Sequence, residues 1–352
     1  MTLRNRLISQ IRMHGPISVA DYMQIALMDP KEGYYPTRDP LGAAGDFTTA
    51  PEISQMFGEL IGLCLAQSWL DRGAPAPFTL AELGPGRGTL MADLLRATRV
   101  VPGFHAAAQI HLVEVSPALR IKQAETLEDE DPVWLDRVTA LPAQPLFLIA
   151  NEFLDALPIR QFLRDDAHWR ERQIGLSEDA LAFGLGPVQP QPALSFRLED
   201  TQVGDLVEDC PGLAPIIAEV SARIRDHGGV GLFVDYGDWR SLGDTLQALH
   251  DHKPADPLAA PGAADLTAHV DFEAVAKAAL CPHSRLTPQG VFLERLGIVD
   301  RAQRLAEDLK AGVLDAHVAA FRRLTHPDEM GNLFKVMALY SEDAAPPPGL
   351  EP

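Results

Sequence analysis

One stretch constrains this chain more than any other: Phe78-Thr79-Leu80-Ala81-Glu82-Leu83, then Gly84-Pro85-Gly86-Arg87-Gly88, then a helix-forming run over residues 89–97. An apolar strand that breaks into alternating glycines and hands over to a helix predicts the start of a parallel α/β sheet, because parallel strands need a crossover that is usually helical. Glycine permits the tight turn and lets a ligand approach the backbone, and the helix that follows points its first amides at that ligand. The pattern then repeats. Residues 110–115 read as a strand, 117–127 as a helix, 133–138 as a weak third strand and 146–150 as a fourth. Alternation of this kind implies right-handed crossovers.

The glycine spacing bears on the ligand. A dinucleotide fingerprint is G-x-G-x-x-G, whereas here Glu82, Gly84, Gly86 and Gly88 alternate. Pro85 fixes the turn and removes a donor that a pyrophosphate would want. S-adenosylmethionine fits better: its only anionic end is the amino-acid carboxylate, and Glu82 offers a carboxylate to its ammonium. Glu114 closes the second strand, where a doubly wound sheet places a ribose-binding acid. Val115 beside it and Asp136 in the third strand complete that side of the expected cofactor site. The bland alternative for the glycines is a tight structural turn.

Composition narrows the partners. Of 352 residues 46% are hydrophobic, ample for a large core, and the formal net charge is -19. No basic stretch is long enough to coat a phosphate backbone, so nucleic acid is not an expected partner. An acidic surface attracts cationic partners, or it serves solubility alone. Cys64, Cys210 and Cys281 are far apart and form no disulfide framework. No apolar run reaches membrane-spanning length. His250-Asp251-His252 has no third ligand at suitable spacing, so no metal is expected.

Residues 2–28 read as two helices split by Gly15-Pro16, with Ser18 capping the second. A turn-rich segment follows, through Tyr34, Tyr35 and Gly42 to Glu52, and long loops inside a domain are usually functional. Tyr34 and Tyr35 either wall a substrate channel or anchor the N-terminal arm. Ile53, Phe57, Leu60, Ile61, Leu65 and Trp69 mark a helix. Past residue 158 the texture changes to short segments that read as antiparallel hairpins, with residues 187–192 as a linker. A helix over 213–225, a buried strand at 230–234, helices within 271–280 and 301–324 and a last strand at 333–340 complete the core. The expected organisation is an N-terminal helical extension with an active-site loop (1–75), the cofactor-binding half of the core (76–158), an inserted hairpin region (159–212), the second half of the core with a substrate-region insertion (213–342) and a Pro-rich disordered tail (343–352). Arg4, Arg6 and Arg12 among Leu3, Leu7, Ile8 and Ile11 suit either a transit peptide or a first helix, and the unbroken apolar spacing favours the helix.

The segments 45–54, 82–88, 151–158, 235–237, 265–272 and 331–336 together closely resemble the MidA-like family, protein arginine methyltransferases related to a mitochondrial respiratory complex I assembly factor. The resemblance runs from about Ile17 to Tyr340. It implies an α/β fold with a Rossmann-like, seven-stranded class I methyltransferase sheet whose last strand is antiparallel, carrying an N-terminal helical extension and an inserted mixed or antiparallel substrate region. It implies arginine in a protein as the target, as in a complex I subunit. The lack of a clear long presequence suggests a bacterial cytoplasmic protein, with the mitochondrial matrix as the location if the basic N-terminus is a presequence. The oligomeric state is open, a homodimer included.

Methyl transfer to arginine needs alignment and a carboxylate, because the guanidinium stays protonated and carboxylates hold it through paired hydrogen bonds. The candidates are Glu152, directly after the fourth strand, with Asn151 beside it, then Glu52 and Asp235. Glu52 sits at a helix start and could merely complement the helix dipole, and Asp235 could be a loop acid without a chemical role. Asp46, Thr48 and Thr49 are expected to touch the cofactor, or to bond backbone. Asp155 either joins the acceptor groups or caps a turn. Two rival functions stand beside the enzyme: a non-catalytic binding factor that keeps the fold, and a nicotinamide-dependent oxidoreductase, which the glycine spacing disfavours.

Overall fold

The computed structural model describes residues 1–37, 49–250, 253–307 and 309–352. The chain divides into two compact units, each assembled from three separate stretches.

The larger unit comprises Thr48–Leu154, Ala214–Trp239 and Val270–Pro352. Its sheet contains β1 (Phe78–Leu83), β2 (Ala108–Val113), β3 (Val133–Leu135), β4 (Leu146–Asn151), β5 (Gly229–Asp238), β6 (Val270–Asp271), β7 (Thr287–Pro288) and β8 (Phe334–Tyr340). Seven strands lie in the order β7-β8-β5-β4-β1-β2-β3, and β6 pairs with the end of β5. Strands β1 to β5 are parallel to one another, and β8 runs antiparallel to β5, as the family resemblance implied. Every residue of β1 and β4 is buried, the signature of strands covered on both faces. Helix Gln55–Asp71 crosses helix Thr89–Thr98 closely enough that a Cβ at Gly62 would lie 2.8 Å from the Leu94 Cα. Glu59 pins the same region, accepting from Arg96 and, through both oxygens, from Arg301 of helix Ile298–Ala306.

Residues 343–352, expected to be disordered, instead lie on this unit. Leu350 is buried, the Arg285 amide donates to the Glu351 carbonyl, and Arg72 reaches the Ala345 carbonyl. Proline-rich composition removes donors but not apolar contacts, and one leucine with a few carbonyl acceptors is enough to dock such a segment.

The smaller unit holds the N-terminal helices and the hairpins. Helices Leu3–His14 and Val19–Met28 form as predicted, with Ser18 and Asp21 making a reciprocal capping box. Between them Ile17–Ser18 pairs with His168–Ser177, which continues through Arg160–Asp165 to Leu206–Asp209, while Ala180–Gln189 pairs with the other edge of His168–Ser177. The proposed linker therefore begins later than expected, because the hairpin strand carries on to Gln189. Tyr34 is fully buried, and the Tyr35 hydroxyl donates to Asp265, so both tyrosines anchor the N-terminal arm within this unit. Among the described residues no helix is long and apolar enough to cross a membrane.

Candidate active site

The glycine loop leaves β1 at its C-terminal end. Gly84, Gly86 and Gly88 all adopt positive φ (61°, 54° and 84°), which only glycine takes without strain. A side chain at Gly84 would also meet the Phe153 ring at 2.9 Å. Gly88 is the N-cap of helix Thr89–Thr98, so the loop delivers the chain into the helix with its first amides at the strand end. Glu82, the penultimate residue of β1, is 3% exposed and accepts from the Met91 amide in the first turn of that helix. Its Oε2 has no hydrogen-bond partner among the described residues. Burial pushes the carboxyl up to about 8, the Met91 bond offsetting only part of that cost.

Glu114 follows β2 directly. Its Oε1 accepts from the Ser116 amide at 2.7 Å and its Oε2 from the Gln123 side chain at 3.3 Å. Burial raises its carboxyl above the usual range, against the hydrogen bonds that lower it. Gln123, buried on helix Pro117–Thr126, also donates to the Gly86 carbonyl at 2.8 Å and accepts from the Trp134 indole on β3 at 2.8 Å. Val115 is 51% exposed. The Asp136 carboxylate pairs with Arg120 at 2.6 Å, and Arg120 in turn donates to the Glu114 carbonyl.

At the end of β4, Glu152 has φ 50°. A glutamate in this left-handed region costs about 1–3 kcal/mol, and such strain concentrates at functional sites. Its Oε1 accepts from the Ala50 amide at 3.0 Å and the Asn151 side chain at 3.1 Å. The Asn151 Oδ1 is buried with no partner among the described residues. Asp235 on β5 is 1% exposed, and its carboxylate accepts from the Phe153, Leu154 and Tyr236 amides. It thus clamps the turn that follows Glu152. Glu52, in the first turn of Ala50–Ile53, accepts from the Thr89 hydroxyl at 2.6 Å and so ties this turn to the helix after the glycine loop. Thr49 caps Ala50–Ile53 by position but makes no side-chain capping bond. Asp46 and Thr48 lie outside the described residues, as do Asp251 and His252. His250 ends strand Gln247–His250 of the smaller unit. Among the described residues no group of three or more His, Cys, Asp or Glu is placed to hold a metal.

The model of a family of S-adenosyl-L-methionine-dependent methyltransferases matches residues 60–290. The chain belongs to that family. Proteins named protein arginine methyltransferase NDUFAF7, mitochondrial, from Xenopus laevis and Homo sapiens are each 38% identical to this methyltransferase, over 96% and 95% of its length and 84% and 82% of theirs. A crystal structure of a superfamily member from Burkholderia thailandensis, bound to S-adenosyl-homocysteine, is similar with a TM-score of 0.83 at 29% identity, covering 96% of this chain and 91% of that one.

The loop of this methyltransferase fits the expected cofactor. The buried Oε2 of Glu82, which has no partner among the described residues, is an acceptor suited to a cation, and the Phe153 ring leaves no room for a side chain at Gly84. Sequence reasoning missed Gln123, Phe153 and the Thr89–Glu52 bond. One signal for Gln123 was available: with Leu119 it occupies the buried i, i+4 stripe of its helix, where an amide is out of place unless it is bonded. A direct test of the loop is Gly86→Val, which should abolish measurable cofactor binding by calorimetry, since a β-branched residue is strongly disfavoured at positive φ. Unchanged binding in a folded variant would remove the loop from the site.

Proposed function

We propose that this methyltransferase methylates arginine in a protein substrate, with Glu82, Gly84, Pro85, Gly86, Gly88 and Glu114 holding the cofactor and Glu152 the acceptor. The observation that carries the reading is Glu152: a carboxylate at the C-terminal end of a central parallel strand, in strained backbone, its Oε1 fixed by two donors. The names of the relatives support arginine as the target. S-adenosylmethionine, when bound, supplies an already activated methyl group, so the residues of the chain need only align the acceptor and manage its proton. The Glu152 carboxylate grips the guanidinium and stabilises the charge as a proton leaves. Asn151 holds Glu152 from the side. Asp235 acts through the backbone turn it clamps, and Glu52 through Thr89. The net charge of -19 suits a cationic substrate. A bacterial cytoplasmic location and a possible homodimer belong to the same reading, and a respiratory complex I subunit is the first target to try.

Methyl-labelled cofactor added to a lysate that lacks this protein, followed by identification of labelled peptides, tests the assignment. Label on arginine supports it. Label confined to lysine or carboxylates overturns it, and no label at all favours a binding factor. For the cofactor end, Glu114→Ala should weaken S-adenosylmethionine at least about tenfold, since hydrogen bonds to a charged group are worth roughly 1.5–3 kcal/mol each. Equal affinity in the folded variant would assign the ribose to another residue.

A further inference from the structure

Gln123 makes three hydrogen bonds, to three parts of the cofactor-binding half. Its Nε2 donates to the Gly86 carbonyl at 2.8 Å and to Glu114 Oε2 at 3.3 Å, and its Oε1 accepts from Trp134 Nε1 at 2.8 Å. The residue is fully buried. An amide can flip, but indole N–H is a donor only, so Trp134 holds Oε1 on its own side and obliges Nε2 to face the loop and the acid. The backbone agrees: a Cβ at Gly88 would lie 3.5 Å from the Gln123 Cα, so the helix bearing Gln123 is seated on the glycine loop. Glu114 is then fixed at both oxygens, Oε1 by the Ser116 amide and Oε2 by Gln123. A carboxylate so held keeps one plane, and two carboxylate oxygens can accept from both hydroxyls of a vicinal diol.

We infer that Gln123 is a positioning residue that orients Glu114 for the ribose diol of the cofactor and couples it to the glycine loop, with Trp134 locking the amide. The inference rests on Glu114 being the ribose acid. Losing Gln123 loosens the hold on the Glu114 carboxylate and leaves the Gly86 carbonyl without this donor. Losing the Trp134 indole N–H leaves the Gln123 Oε1 without that donor and lets the side chain shift, which loosens its hold on Glu114.

The test compares binding of S-adenosylhomocysteine with that of its 2′-deoxy analogue, by calorimetry, in wild type, Gln123→Leu, Trp134→Phe and Glu114→Gln. Wild type should prefer the ribose ligand by about tenfold or more, the value of hydrogen bonds to a charged acceptor. Gln123→Leu should bring the two affinities within about twofold of each other, and Trp134→Phe should give an intermediate preference, by the same reasoning. A role in packing alone would weaken both ligands equally and leave the preference intact, and that result overturns the inference. Glu114→Gln separates the two layers. If it too erases the preference, the ribose assignment stands and the Gln123 result is decisive. If Glu114→Gln keeps the preference, the ribose assignment itself fails. Should Gln123→Leu not fold, Trp134→Phe carries the test, since it keeps the ring and removes only the N–H; a wild-type preference there overturns the lock.

Discussion

Replacing Glu152 by Gln is expected to lower methyl transfer to an arginine-bearing protein about a hundredfold or more, while S-adenosylmethionine affinity stays within about twofold of wild type. The variant keeps the side-chain shape and an oxygen that accepts from the Ala50 amide, as Glu152 Oε1 does. It removes the charge. A guanidinium remains protonated at neutral pH, so the acceptor must be held and relieved of a proton in the same step, and a neutral amide does neither well. The geometry argues that this residue is placed for more than packing. Its φ of 50° is unfavourable for glutamate, yet Asp235 and Asn151 both hold the turn in place. Rates with labelled cofactor and mass spectrometry of the product decide the matter. A Glu152→Gln protein as fast as wild type would remove Glu152 from the acceptor site.

The second large effect belongs to Glu82. Glu82→Gln should weaken S-adenosylmethionine at least about tenfold and yet stabilise the cofactor-free protein at pH 8. The sign follows from burial. In the fold the carboxyl sits at about 8, above its ordinary value of 4.5. A carboxyl raised on folding contributes stability that is full below the ordinary value and is lost as pH rises through the folded one. The melting temperature of the cofactor-free wild type should therefore fall between about pH 5 and pH 8. The amide variant should lack much of that fall, the remainder coming from Glu114, Asp93, Glu208 and Asp209, which burial raises in the same direction. A cationic ammonium beside Oε2 favours the carboxylate, so cofactor affinity should rise with pH up to about 8 and binding should release a proton. Calorimetry in buffers of different ionisation enthalpy measures that proton. Binding without proton release, or full affinity in the amide variant, would place the ammonium elsewhere.

Much of this architecture was legible in the residues. Strands buried on both faces read as unbroken apolar runs, which is why β1, β4, β5 and the antiparallel β8 were found, and alternating glycines can hardly be other than a turn into a helix. What stayed hidden was tertiary hydrogen bonding. Asp235 looked like a candidate for chemistry because it ends a buried strand, and nothing local says that its carboxylate meets the Phe153 and Leu154 amides. Glu52 looked like a helix-dipole acid or an acceptor group, and its partner Thr89 lies beyond the reach of any local pattern. The tail misled through composition: proline signals the absence of regular structure, which differs from the absence of a resting place for Leu350.

The position of β8 has a consequence for how the protein is made. Among the described residues this strand follows every other element in sequence, yet it lies inside the sheet, between β7 and β5, in register from Val230 opposite Tyr340 to Tyr236 opposite Phe334. During translation the glycine loop, β2, β3 and β4 emerge long before it. Until residue 340 clears the ribosome, one edge of β5 presents unpaired amides and carbonyls, the kind of surface that recruits other strands. The nascent methyltransferase therefore cannot mature from its N-terminus onwards. A premature stop anywhere ahead of residue 334 leaves an intact cofactor loop on an open sheet, and a polypeptide that is a client for chaperones and proteases.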